Sequence, residues 1–222
     1  MGVTADIAQA AWVTGLLALT TTAILLVASP PLSWWIARTR SRWRAPVEAV
    51  VALPLVLPPT VLGFYLLLAM AESGPLGAIA EAVAGARLAF TFAGLVIGSI
   101  VYSLPFVTGP LASAFRTTDG HLLEAAASLG VPPATRFLRL VLPMHRKALV
   151  AAGVLGFAHT VGEFGIVLMI GGNIPGETRV LSIALFDRVE MLDYVGAHVI
   201  AASLLVFSLV VLTFTYRWLR VP

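Results

Sequence analysis

Residues Glu124 to Pro143 read EAAASLGVPPATRFLRLVLP, a polar-containing interlude in a chain that is otherwise mostly apolar. Thr117, Thr118 and Asp119 offer N-caps for a short helix through Leu129, because their side-chain oxygens accept from free first-turn amides. Gly130 suits the left-handed residue just past a helix end. Pro132 and Pro133 then fit a turn and the first position of a second helix. That helix carries Ala134, Phe137, Leu138 and Val141 on one face at helical spacing, with Arg136 and Arg139 on another. Pro143 ends it. The stretch is therefore expected to be a helix–turn–helix unit over about residues 117–143. Ala125, Ala126 and Ala127 let another surface approach Glu124 closely, and Glu124, Arg136 and Arg139 suit charge-assisted contacts at a rim.

Outward from this island the chain is hydrophobic. Of its 222 residues, 59% are hydrophobic and 11% charged. A soluble domain carries about 25% charged residues. Long uncharged runs separate the charges, as in an all-α polytopic membrane protein. Five segments offer roughly the 20 residues a bilayer core needs: within Ile7–Ala37, ending or bending near Pro30–Pro31, then about Val47–Ala71, Leu88–Leu111, Ala148–Ile170 and Tyr194–Tyr216. Helices are required because unpaired backbone groups are too costly in lipid. With five spans, Arg38, Arg40, Arg42, Arg44, Arg116, Arg136, Arg139, Arg146, Lys147, Arg217 and Arg220 fall on one side. Only Arg87, Arg179 and Arg188 fall on the other, so the first side is read as cytoplasmic, with the N-terminus outside and the C-terminus inside. The uncharged N-terminal run is too long for a signal peptide and is read as a retained membrane helix. Glu72–Arg87 reads as an outer loop with a short amphipathic helix. No linker divides the chain, which is read as one domain over residues 1–222.

Several function classes fall away. The net charge of +3 forms no basic stripe with aromatics, which argues against nucleic acid. There is no cysteine, and His121, His145, His159 and His198 show no ligand spacing, so neither a metal site nor a cofactor is expected. The sole lysine, Lys147, lies in MHRKAL with no preceding glycine, so no phosphate-cradling loop is present and the chain is read as no enzyme. Any ATP-driven work would need a separate subunit. No repeat or inverted hydropathy symmetry supports a secondary transporter.

The spacing Glu-Ala-Ala, three residues, Gly130, nine residues, Leu140, then Leu142-Pro143 resembles the EAA loop of ABC importer permeases. Leu140 stands where that family has Ile, a mild departure. The resemblance implies a type I ABC importer permease fold with a cytoplasmic coupling helix. It also implies docking on the ATPase through Glu124, Ala125, Ala126, Gly130, Arg136, Arg139, Leu142 and Pro143.

Two further stretches concern cargo. LPLVLPPTVLGFY, Leu53 to Tyr65, places Pro54, Pro58 and Pro59 in the second span, where they remove backbone donors and bend it. The fourth span holds Glu163 in GEFG, roughly 22 Å from its cytoplasmic end. A membrane carboxylate is a functional candidate by default, and it repels anions, so gating or packing suits it better than binding. GGNIPGETR follows as a tight outer turn around Asn173, with Arg179 open to an oxyanion, to Glu177 or to a docking protein, the last two preferred. Pro58, Pro59, Glu163, Asn173 and Arg179 are the candidates for path or gate. Together these motifs, from about Val47 to Phe186, resemble permease subunits of molybdate ABC importers, with tungstate inseparable from molybdate. Sulfate or thiosulfate permeases are the alternative, and a self-sufficient channel is a more distant one. The resemblance implies a second permease copy, ABC ATPase subunits, an extracytoplasmic oxyanion-binding protein and a bacterial inner membrane. Gly94 and Gly98 form a GxxxG that permits close helix contact.

Overall fold

A computed structural model describes residues 2–219, and every regular element among them is helical. In chain order the helices are α1 (Gly2–Arg38), α2 (Arg44–Val56), α3 (Pro59–Met70), α4 (Pro75–Ala84), α5 (Phe92–Arg116) and α6 (Gly120–Ser128). There follow α7 (Pro133–Met144), α8 (Arg146–Val161), α9 (Gly165–Gly171), α10 (Leu181–Glu190) and α11 (Tyr194–Leu219). Arg220, counted above among the inner basic residues, lies outside the described residues.

Three helices are long and apolar enough to cross a membrane unaided: Ala5–Arg38, Phe92–Arg116 and Tyr194–Thr215. Among the described residues the number reaches five at most, if α2 with α3 and α7 with α8 each count as one bent span. The second expected span, Val47–Ala71, is not one rod. α2 and α3 meet at 113° across Leu57 and Pro58, where Pro58 and Pro59 withhold the amides that would continue the ladder. The fourth, Ala148–Ile170, is also discontinuous: α8 stops at Val161 and α9 restarts at Gly165. Glu163 therefore sits in a break between helices, not inside one. By contrast, α1 runs through Pro30 and Pro31 to Arg38 instead of ending there. An interior proline costs about 3 kcal/mol. Extensive packing of α1 on α5 and α8 offsets that cost, and the Ser33 hydroxyl donates to the Thr108 carbonyl of α5 at 3.1 Å.

α1, α5 and α8 form the centre of the bundle. One buried cluster joins Val13, Leu17, Leu95, Ile166, Ile170 and Ile183. A second joins Leu25, Val107, Leu111, Phe115, Val141 and Ala152 at the end nearer α7. The GxxxG glycines are consumed within the chain. A Cβ on Gly98 would collide with Ile170 of α9, and one on Gly94 with the Leu88 carbonyl. The opposite condition holds outside: Trp12, Val27, Val195 and Leu205 are exposed, and the α11 span is only 11% buried. Such surface suits hydrocarbon and would be an aggregation liability in water.

Candidate functional site

The stretch from Thr117 to Pro143 folds as its residues dictate. The Asp119 carboxylate accepts from the His121 amide at 2.9 Å and caps α6. Gly130 adopts φ +75°, and the amides of Val131 and Gly130 return to the Ala126 and Ala127 carbonyls at 3.0 and 2.9 Å. That is a Schellman ending, which a β-carbon at position 130 would strain. Pro132 is the cap and Pro133 the first residue of α7. From Phe137 to Val141 the helix widens to π geometry just before Pro143, whose ring would crowd the Arg139 carbonyl in a normal α-turn. α7 meets α8 at 77°, so the unit lies crosswise to the bundle.

Its residues divide by where they point. Glu124 and Ala125 on α6, and Leu138, Arg139 and Pro143 on α7, are exposed, as are Leu129 and Gly130 between them. Ala126 is buried and Leu142 half-buried. Arg136 is turned inward instead of to a rim: its guanidinium donates to the Leu123 carbonyl at 3.1 Å and ties the two helices together. The expected apolar face of α7 also splits. Phe137 and Val141 pack inward, whereas Ala134 and Leu138 face out.

A clamp that no sequence pattern announced joins this unit to the bundle. Phe137 packs on Trp34 of α1 and Phe115 of α5, with ring centroids 5.8 and 6.1 Å apart. The Arg38 guanidinium donates to the Thr118 carbonyl and lies 5.1 Å over the Trp34 ring. The Thr118 hydroxyl bonds His145 Nε2 at 2.9 Å. Arg38 thus acts as a strut and is more than a topological charge. The missed signal is Trp34 four residues before Arg38, which puts both on one helix face.

The second region is a hollow of about 520 Å³ where the two helix breaks meet. Pro59, Thr60, Tyr102, His159, Glu163 and Phe164 line it. Gly165 must lack a side chain, because a Cβ there would lie 2.8 Å from Pro59. Glu163 is 3% exposed, and among the described residues the Ser99 hydroxyl is the polar group that approaches its carboxyl, without reaching good hydrogen-bond geometry. The Glu163 backbone is held nonetheless, its carbonyl accepting from Ser182 at 2.5 Å. Beside it, Ser103 bonds His159 Nδ1 at 2.9 Å and Thr160 at 3.0 Å, and His159 stacks on Phe106.

Asn173 and Arg179 belong to a different group. The Arg179 guanidinium donates to Asn173 Oδ1 at 2.7 Å and to Asp6 at 3.1 Å, and lies 3.7 Å from Asp187. Asn173 donates to Asp187 at 3.0 Å and holds φ +56°. Arg188 joins the knot through Asp6 and Asp193. Arg179 is therefore not paired with Glu177, which is exposed, because Asp6 and Asp187 converge on it from α1 and α10. This knot fastens the outer loop to the bundle and leaves Arg179 fully engaged.

The likenesses agree with this geometry. Residues 29–220 match the family described as binding-protein-dependent transport system inner membrane component. The chain is 52% identical over 200 residues to the molybdenum transport system permease protein ModB of Azotobacter vinelandii, covering 90% of this chain and 88% of that one. It is 35% identical over 181 residues to the sulfate transport system permease protein CysT of Synechococcus elongatus, covering 82% of this chain and 65% of that one. A crystal structure of a bacterial ABC transporter that imports the acidic polysaccharide alginate superposes with TM-score 0.72 over 97% of this chain and 79% of its own, at 18% identity. That last likeness speaks for the fold alone. A crosswise helical unit beneath a bundle of broken spans, together with these matches, makes the chain a member of the family of inner membrane components of binding-protein-dependent transport systems.

Proposed function

We propose that the chain is the membrane subunit of an ATP-driven molybdate importer, with tungstate as an equivalent cargo. The observation that carries this reading is the 52% identity over 90% of the chain to a molybdenum permease, against 35% to a sulfate permease. In this reading one permease unit spans a bacterial inner membrane with its N-terminus outside. A second copy completes the path. An external binding protein delivers the oxyanion, and separate ATPase subunits hydrolyse ATP.

The geometry supports a division of labour. The exposed Glu124, Ala125, Leu129, Leu138 and Arg139 form the face an ATPase cleft would receive. Motion of α6 and α7 passes to α1, α5 and α8 through Arg38, Phe137 and His145, since packed aromatic and hydrogen-bonded contacts resist compression. It reaches the hollow, where Pro58 and Pro59 and the Gly162–Gly165 break leave the backbone free to hinge. Glu163 guards that hollow. A buried carboxyl between two helix breaks offers an oxyanion no counter-charge, so its role is to move aside and not to bind.

The test is hydrolysis and uptake by the complete complex in proteoliposomes with its binding protein. Molybdate should stimulate both and sulfate neither. Stimulation by sulfate with no molybdate response would make the chain a sulfate permease. Oxyanion movement by the permease alone without ATP would make it a channel.

A further inference from the structure

We infer that the groove between α1, α8 and α11 is a binding site for an anionic phospholipid, with an acyl chain in the groove and the headgroup at Arg146, Lys147 and Arg217. The groove has a volume of about 470 Å³, and its walls include Thr22, Leu26, Gly153, Val154, Phe157 and Val211. Almost all of the exposed wall is carbon. An aqueous solute has nothing to bond there, whereas a hydrocarbon chain does.

Helix register shows what lies at its end. α8 and α11 pack against each other, with the Phe157 and Phe207 ring centroids 6.1 Å apart. Val150, seven residues before Phe157, and Phe214, seven residues after Phe207, line the same groove. The two helices are therefore antiparallel at this contact. Advancing one more turn along both brings Lys147 and Arg217 level with each other, about 4.5 Å beyond Val150 and Phe214. Arg217 lines the adjoining cleft with Phe214. Arg146 is the next basic residue, at the start of α8. All three are exposed, and among the described residues none of them has an ion-pair partner. Arg40, Arg42 and Arg139 also have no ion pair among the described residues, but none of them lines the groove or the cleft that adjoins it.

An apolar cleft that ends in unpaired cations is complementary to a lipid whose tail is hydrocarbon and whose headgroup is negative. Each basic residue near a membrane surface attracts such a headgroup by about 1 kcal/mol. A zwitterionic lipid would gain the groove contacts but not the charge contacts. A second copy of this chain would fill the cleft with side chains and would have to bring carboxylates to three cations.

The test uses the permease–ATPase complex purified from vesicles of phosphatidylcholine with or without phosphatidylglycerol, and reads retained lipid by native mass spectrometry. Wild type should keep phosphatidylglycerol in preference to phosphatidylcholine. Lys147→Gln and Arg217→Gln should each lower that retention roughly fivefold. Val154→Phe fills the groove with the charges intact and should displace the lipid while complex yield holds. Equal retention of the two lipids by the wild type, which requires no variant, overturns the site. So does undiminished phosphatidylglycerol on the charge variants. The chain has no cysteine, so Val210→Cys is a clean probe. Disulfide formation between two copies at that position would put a second chain in the groove and overturn the proposal as well.

Discussion

The crosswise unit of α6 and α7 and the hollow at the helix breaks are built on different principles. Around α6 and α7, Asp119 and Gly130 cap α6, and the Thr118 hydroxyl, the His145 ring and one terminal nitrogen of Arg136 have partners, although Arg136 Nε does not. At the hollow, two helices stop short and a buried carboxyl has only the poorly aligned Ser99 hydroxyl beside it. A satisfied unit resists deformation, while an unsatisfied one holds free energy that a rearrangement can release. In the proposed function, the first would transmit force and the second would yield to it.

The largest expected break in this contrast is Phe115→Ala. Phe115 is fully buried against Trp34, Phe137 and His145. Its truncation should cost about 3–5 kcal/mol in chemical unfolding, and in the full complex ATP hydrolysis should continue while oxyanion uptake collapses. Unimpaired uptake would remove the clamp from the transmission path.

At the hollow the sign reverses. Glu163→Met replaces a poorly partnered buried acid by an apolar side chain of similar length. It should raise stability by about 1–3 kcal/mol while altering uptake. A loss of stability would mean that the carboxylate has a partner the bundle supplies in another state.

Glu124→Lys probes the exposed face, where the side chain touches little besides His121. Stability should stay within about 0.5 kcal/mol, yet less ATPase should co-purify. Unchanged complex yield and transport would detach Glu124 from docking.

The smallest effect belongs to the outer knot. Asp193 caps α11 by accepting from the Gly196 amide, and that bond together with Arg188 holds its pKa below the ordinary 3.8. A depressed carboxylate stabilises the fold above its unfolded pKa, and the contribution is lost as pH falls through the folded value. Acid melting profiles should therefore steepen below about pH 3.8 in the wild type relative to Asp193→Asn. Superimposable profiles would show that the cap carries no pH dependence.

Much of the contrast was legible before folding was considered. Asp119, Gly130, Pro132 and Pro133 act within a few residues, so their positions alone announce two short helices and a turn. Pro58 and Pro59 announced a bend for the same reason, although not its 113°. The break around Glu163 was hidden because Gly162, Phe164 and Gly165 form no proline signature within an apolar run. Arg179 misled because Asp6, its partner, lies 173 positions away. Arg136 misled because helical spacing says which face a residue occupies and not whether that face meets solvent or the neighbouring helix.

The sequence by itself determined the apolar spans, the position of the basic clusters, the capped helical unit and the family, since composition, short-range backbone chemistry and motif spacing are local properties. Only the tertiary structure decided that α1 continues through two prolines, that the fourth span is broken, and that Arg38 and Phe137 clamp the coupling unit. It also decided that Glu163 lies buried in a hollow shared with Pro59. Those outcomes depend on which distant helices pack together, and a buried group keeps or loses its partner according to what those helices bring beside it.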